Sequence, residues 1–257
     1  MAAIRAFKVP KQGVGLWWLG QNGYIFKSPD GALVGVDLYL SDSCERFYPT
    51  VNLRRRVPVL IAPDDVQVDV FACTHSHCDH LDPDTITGLR NKDAIAFVGS
   101  GECLAGFRGA GIEDSRITTV WPRASYQYKD VSLTATFAVP TDSTDLNHVG
   151  FLLQFGNGPK IYMTGDTDHH PLLYSAAEHK PDLMITCING GFNNLSHWEA
   201  ADVASKIKPR MAIPCHYDMF TDNAVDPHQF EVSLKQLAAG TAYRELEHGK
   251  PFVFTCE

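Results

Sequence analysis

The sequence contains no Cys-x-x-Cys pair, no excess of positive charge, and no apolar run near the roughly 20 residues of a membrane helix. Each absence narrows the reading. The seven cysteines, Cys44, Cys73, Cys78, Cys103, Cys187, Cys215 and Cys256, are odd in number and irregularly spaced, so neither a disulfide framework nor a zinc ribbon is indicated. Lysine plus arginine is 22 against 30 for aspartate plus glutamate, a formal charge of -8. A general nucleic-acid binder would normally show a basic face, and this balance argues against one. An anionic small molecule stays compatible, because a local basic pocket can sit on an acidic protein. The opening Met1-Ala2-Ala3-Ile4-Arg5-Ala6-Phe7-Lys8 has no apolar signal core. The expectation is a cytoplasmic, soluble protein whose partner is a small anionic molecule rather than nucleic acid or membrane, with a homo-oligomer left open.

A chain of 257 residues that is 44% hydrophobic fits one large α/β domain, 1–257. No linker, low-complexity tract or short-period repeat interrupts it. Gly15 to Phe26 reads as a strand that turns at Ser28-Pro29-Asp30-Gly31 and returns through Leu38, a hairpin with Asp-Gly in its turn. Residues 41–65 read as a long loop around Arg54-Arg55-Arg56, and loops of that length are usually functional or mobile. Further on, 82–92 and 100–108 read as helices, 94–98 and 117–120 as strands, and 125–139 and 148–164 as hairpins. Residues 169–179 read as a helix and 183–186 as a buried strand. Ser196-His197-Trp198-Glu199 matches a capping box for a helix to Ile207. A strand at 211–214, a helix opening at Asp226-Pro227 and a strand at 251–255 complete the chain. Hairpins followed by alternating strands and helices, with that order repeated, predict an αββα sandwich of two mixed β-sheets flanked by helices.

What the sequence does hold is concentrated in Phe71-Ala72-Cys73-Thr74-His75-Ser76-His77-Cys78-Asp79-His80-Leu81-Asp82. The run from Val68 to Cys73 reads as a buried strand and leads into His75, His77, Asp79 and His80. Strand residues alternate faces, so His75 and His77 point the same way just beyond the strand end. Asp82-Pro83 then reads as a helix start, with an N-cap acid and proline at the first helical position. Buried imidazoles and carboxylates are too costly to gather without a ligand, so the cluster points to divalent cations. A site for two ions needs further ligands at strand ends. Asp166 follows Ile161-Tyr162-Met163-Thr164-Gly165 in that way, and His216 follows Met211-Ala212-Ile213-Pro214-Cys215. Alternation turns Cys215 into the core and makes Cys78 a spacer. Asp37, after Val34-Gly35-Val36, is either an inward carboxylate near the ions or a surface acid. His169 and His170 lie just after Asp166 and are candidates to line the pocket.

With the cluster, the segments Trp17-Trp18-Leu19-Gly20, Asn52-Leu53-Arg54-Arg55, Thr164-Gly165-Asp166-Thr167 and Ile213-Pro214-Cys215-His216-Tyr217-Asp218 resemble the metallo-β-lactamase superfamily, and within it the L-ascorbate-6-phosphate lactonases. The resemblance implies a metal set of His75, His77, Asp79, His80, Asp166 and His216. It adds His148, which precedes a strand beside Gly150, as the favoured last ligand, with Asp142 as the alternative. It implies one or two divalent ions, Mn²⁺ favoured and Zn²⁺ or Fe²⁺ compatible with a nitrogen-and-oxygen donor set. Water held between two such ions has a pKa near 7, which suits hydrolysis at neutral pH. Asp79 would then be the catalytic carboxylate. The expected reaction opens a small anionic, sugar-phosphate-like lactone. Arg54 or Arg55 would fork onto its phosphate or carboxylate, and Asn193 or Asn189, Tyr217 and Asp218 would hydrogen-bond to it. The alternatives are a phosphodiesterase, thioesterase or amidase on the same scaffold, or a non-catalytic metal-binding protein.

Overall fold

Residues 1–256 are described by a computed structural model, in which the alternation of side chains sorts the strands into layers. The first half of the chain supplies β1 (Gly13–Trp18), β2 (Tyr24–Lys27), β3 (Leu33–Val36), β4 (Val70–Cys73), β5 (Ala96–Gly99) and β6 (Ile117–Thr119). The second supplies β7 (Ser125–Tyr128), β8 (Val131–Phe137), β9 (Val149–Phe155), β10 (Lys160–Met163), β11 (Leu183–Cys187), β12 (Met211–Cys215) and β13 (Ala242–Tyr243). The last strand, β14 (Pro251–Thr255), returns to pair with β1. Two seven-stranded sheets result, in the orders β14-β1-β2-β3-β4-β5-β6 and β13-β12-β11-β10-β9-β8-β7. Both are mixed, parallel over β3–β6 and over β10–β13.

Every residue of β4 is buried, and its alternation serves two cores. Val70 and Ala72 join the cluster shared with Leu153, Ile161 and Met163 of the other sheet, while Phe71 and Cys73 join Ile86 and Phe107 on the outer side. A strand covered on both faces needs apolar residues throughout, and Val70–Cys73 has them, with the polar Asp69 lying just before the strand. Between the sheets, the rings of Phe26 and Phe155 meet at 5.8 Å. The short helices Pro83–Gly88 and Cys103–Gly109 supply Ile86 and Phe107 to the outer cluster. The helices His197–Ile207 and His228–Leu237 bury Ala200, Val203, Phe230 and Leu234 beside the second sheet. The capping box at Ser196 and Glu199 closes as read, and Asp82 caps its helix by accepting from the Asp84 amide at 3.1 Å. Among the described residues no helix is long and apolar enough to cross a membrane.

Three local expectations are corrected. Gly15–Phe26 is two strands, β1 and β2, joined by a turn in which the Leu19 amide donates to the Gly23 carbonyl at 2.8 Å. The helix expected over 82–92 stops at Gly88, where Leu89 leaves it in an extended conformation with φ -61° and ψ 125°. Pro171–His179 is 3₁₀ rather than α-helical.

Pairing direction decides where the strand ends gather. Because β3 and β4 are parallel, Asp37 and the His75–His80 turn leave the same edge of the first sheet. Since β2 runs antiparallel to β3, the β1–β2 turn, residues 19–23, lies at that edge as well. In the second sheet β10 and β12 end, and antiparallel β9 begins, at one edge. Two backbone bonds join the edges: the Val149 amide donates to Thr74 O at 3.1 Å, and the His216 amide to Gln21 O at 3.0 Å. Phe155→Ala, which removes a fully buried ring from the inter-sheet cluster, is expected to cost about 3–5 kcal/mol of folding stability, read by urea denaturation.

Candidate metal centre

Six of the seven expected ligands leave the ends of strands β4, β10 and β12, and His148 stands at the start of β9. His75, His77 and His148 bring one ligand atom each to within 4.8 Å of one another, as do Asp79, His80 and His216. A further group of His75, His80 and Asp166 meets the same limit and links the two sets. His216 Nε2 is 3.3 Å from Asp79 Oδ2 and 3.0 Å from Asp166 Oδ2, and His80 Nε2 is 3.3 Å from Asp166 Oδ1.

The outer nitrogens of four imidazoles are tied to oxygen. Thr74 Oγ1 donates to Asp37 Oδ2 at 2.7 Å, so it accepts from His75 Nδ1 at 3.0 Å. His80 Nδ1 donates to Asp37 Oδ2 at 2.9 Å, and His148 Nδ1 to the Asp166 carbonyl at 3.0 Å. His77 Nε2 lies 3.0 Å from Thr144 Oγ1, leaving Nδ1 toward His75 Nε2 at 3.0 Å. Each bond sets a tautomer whose other nitrogen faces the centre, the arrangement a metal-ligating imidazole needs. The facing atoms His80 Nε2, His148 Nε2 and Asp166 Oδ1 are buried without a hydrogen-bond partner. Buried polar atoms without an aligned hydrogen bond are rare and costly; His148 Nε2 has none, and His80 Nε2 and Asp166 Oδ1 face each other at 3.3 Å, a convergence that fits a pair of divalent cations.

The two sets differ in charge. Burial holds the His75 imidazole well below its ordinary pKa and lowers His148 too, leaving neutral donors. Burial also works against charge on His216 and His80, but the neighbouring carboxylates outweigh it. Asp166 and Asp79 lift His216 to about 9, and the same two acids with Asp37 raise His80 well above its usual value. In return, burial of Asp79 and Asp166 is outweighed by His80 and His216, which hold both carboxyls well below the normal range.

Backbone geometry supports the placement. Asp37 and His216 have φ of 47° and 57°, left-handed conformations that non-glycine residues adopt mainly where the surroundings impose them. Gly165 has φ 64°, and a Cβ there would lie 2.9 Å from Val149 O and 3.0 Å from Thr74 Cβ, so only glycine lets β10 deliver Asp166.

Above the ligands lies a cavity of about 260 Å³ whose lining includes His77, Cys78, Asp79, Asp166 and His216. Asp142 lines it at the rim, 3.5 Å from His77 Nε2, and His148 rather than Asp142 belongs to a ligand group. The expected substrate contacts are mostly elsewhere. Arg55 turns inward to the protein: its Nε donates to Val57 O at 2.6 Å and Nη1 to Tyr39 O at 2.7 Å, with the guanidinium 4.9 Å from the Tyr39 ring centre. Arg54 is exposed outside the cavity. Asn193 spends its amide on Thr141 O at 2.7 Å, and its neighbour Asn194 reaches the centre instead, donating to Asp166 Oδ2 at 2.8 Å. Tyr217 is buried against Trp18 at 5.1 Å and does not line the cavity. His169 bonds Asp202 at 3.1 Å and His170 caps the 3₁₀ helix, so neither lines the cavity. Cys78 is more than a spacer: it lines the cavity, and Cys44, Cys78 and Asp79 place ligand atoms within 4.8 Å.

Sequence reading missed Gln21, Asn22 and Asn194. Gln21 Nε2 donates to Asp79 Oδ2 at 2.7 Å and lies 2.9 Å from His216 Nε2; Asn22 Nδ2 donates to Asp37 Oδ2 at 2.6 Å. The available signal was Leu19-Gly20-Gln21-Asn22-Gly23, whose glycines and asparagine mark a turn inside an apparent strand.

A family model of the β-lactamase superfamily domain matches residues 15–216. The chain belongs to the metallo-β-lactamase superfamily. Its curated relatives include a UPF0173 metal-dependent hydrolase of Anaeromyxobacter dehalogenans, 29% identical over 92% of this chain and 85% of the relative. A probable L-ascorbate-6-phosphate lactonase of Salmonella gallinarum is 23% identical over 84% of this chain and 73% of that protein. Among solved structures, the metallo hydrolase Igni18 of Ignicoccus hospitalis superposes with a TM-score of 0.75 at 18% identity, covering 95% of this chain and 100% of its own. Two mixed sheets with flanking helices are the metallo-β-lactamase fold, and the curated relatives of the chain include proteins named as metal-dependent hydrolases. Asp37→Asn keeps the shape of the buried acid but loses an acceptor for Thr74 and His80; metal affinity is expected to fall about 10- to 100-fold, measured by competition with a chromogenic chelator.

Proposed function

We propose that this protein is a lactonase that opens a small cyclic ester, with Mn²⁺ as the first resident cation to test. The observation that carries the reading is the pair of abutting ligand sets, with inward atoms left unpaired, at the floor of a cavity sized for a small molecule. The relatedness to lactonases supports the substrate class, and the nitrogen-and-oxygen donors of both sets suit Mn²⁺, Zn²⁺ or Fe²⁺.

The residues divide the work. His75, His77 and His148 would hold one cation, Asp79, His80 and His216 the other, with Asp166 between them. Bound divalent cations supply Lewis acidity and lower the pKa of a shared water. Asp79 reaches the cavity as a carboxylate. It is thereby available to hold the proton of the attacking water and return it to the ring oxygen as the ester bond breaks. Gln21, bonded to Asp79 Oδ2, orients that carboxylate. Because the leaving oxygen of a lactone stays tethered, the product is a single hydroxy acid. Arg54 and Arg55 lie outside the cavity lining and do not supply the contacts expected for a phosphorylated substrate.

Metal-loaded protein assayed on a lactone panel is expected to turn over cyclic esters, and His77→Ala to lose bound metal and at least about 100-fold in kcat/KM together. Activity confined to bis(p-nitrophenyl) phosphate would replace the lactonase by a phosphodiesterase.

A further inference from the structure

The cavity walls carry information that the ligands do not. Tyr48, Val51, Leu53, Phe192 and Phe220 line it, and among the described lining residues there is no lysine or arginine. The charged groups there are the acids Asp79, Asp142 and Asp166, with imidazoles of the centre. Phe192 and Tyr48 are 52% and 44% exposed at the mouth. Exposed aromatic side chains at the rim of a cleft mark a place where a ligand completes their burial.

These side chains are held in place. Phe192 and Asn193 have φ of 56° and 58°, consecutive left-handed residues in a loop whose bonds include Gly190 N to Leu195 O and Asn194 N to Gly191 O, both 3.0 Å, and Asn193 Nδ2 to Thr141 O at 2.7 Å. Strain of this kind persists only where the surroundings enforce it, and it clusters at ligand clamps. The loop bearing Tyr48, Val51 and Leu53 is anchored by Arg55 on the Tyr39 and Val57 carbonyls. Two backbone amides assist, Arg56 N to Met219 O at 2.8 Å and Asn52 N to Asp222 Oδ2 at 3.1 Å. Arg55 thus fixes an apolar wall instead of presenting its charge to a substrate.

We infer that the part of the substrate remote from the reacting carbonyl is uncharged and apolar, and that Leu53 and Phe192 are its specificity-determining contacts. This rests on the ester-hydrolase reading above. An anionic substituent placed there would meet apolar side chains and the Asp142 carboxylate with no lysine or arginine to compensate its lost hydration. An alkyl or aryl group loses only its contact with water, which is favourable.

The test measures binding and turnover separately on the metal-loaded full chain. Straight-chain alkyl hydroxamates, from acetohydroxamate to hexanohydroxamate, serve as calorimetric probes, with an ω-carboxylated hydroxamate of the longest length for comparison. Each added methylene is expected to tighten Kd up to about fourfold, and the carboxylated probe to bind at least about tenfold more weakly than its alkyl counterpart. Phe192→Ala should flatten the chain-length series at unchanged metal content. Leu53→Lys should favour the carboxylated probe. In parallel, kcat/KM for γ-lactones should rise with the length of a ring alkyl substituent. A flat series, or a carboxylated probe that binds as well as the alkyl one, overturns the inference. A rising binding series without turnover of any lactone upholds the apolar wall and removes the lactonase reading alone.

Discussion

One buried carboxylate, Asp37, ties the centre together. It is fully buried and accepts from Asn22 Nδ2 at 2.6 Å, from the Thr74 amide and hydroxyl at 2.7 Å each, and from His80 Nδ1 at 2.9 Å. Those donors come from the β1–β2 turn, the end of β4 and the ligand turn. Removing a carboxylate from water costs several kcal/mol unless its lone pairs are satisfied, and here four donors converge on it. The consequence travels outward. Asp37 fixes the Thr74 hydroxyl, which fixes the His75 ring, and it fixes His80 directly. A single acid therefore sets imidazoles in both ligand groups, so their mutual distances depend on one element rather than on independent loops.

The charge distribution follows from which strand ends meet. The set built on β4 and β9 consists of three imidazoles, two of them kept neutral by burial. The set built on the ligand turn and β12 faces Asp79 and Asp166, and the acids and imidazoles there push each other toward their charged forms. In such a pair the positive charge is supplied either by protons on His80 and His216 or by a bound cation. A cation bound at that set would exchange one kind of positive charge for the other, whereas the three-imidazole set has lone pairs already exposed to the centre. The two positions are thus chemically distinct although Asp166 reaches both.

The ligand turn was legible because its information is local. Four donors within six residues after a buried strand announce themselves, and strand alternation correctly turned Cys215 into the core, where its Sγ meets Asn22 Oδ1 at 3.0 Å. The sandwich was legible for a similar reason, since hairpin turns and a capping box are short-range signals. What escaped was set by approach between distant segments. Nothing near Gln21 in the sequence says that β1 and β2 separate there and that the turn between them lies against His216; only the pairing of β1 with β2 and of β2 with β3, and the bond from the His216 amide, place it. The asparagine choice failed by one residue. Two consecutive left-handed residues rotate the loop, so Asn194 reaches Asp166 while Asn193 serves the Thr141 carbonyl. The arginine run was visible as charge, but the direction of a long side chain depends on what it can reach, and Arg55 found backbone carbonyls and an aromatic face.

Reaction groups and wall groups therefore sit on different kinds of backbone. The ligands stand at strand ends whose positions are fixed by register, two inter-sheet amide bonds and the Asp37 network, so few substitutions there are compatible with the fold. Most of the wall residues stand on the 48–57 and 190–194 segments, which hold their shape through a handful of bonds made mainly by backbone and by side chains pointing away from the cavity. Changing Leu53 or Phe192 removes none of those bonds. A chain built this way can keep its hydrolytic centre while its substrate class changes, and a shared Asn-Leu-Arg-Arg segment is no guide to shared ligand charge when the guanidinium serves the loop itself.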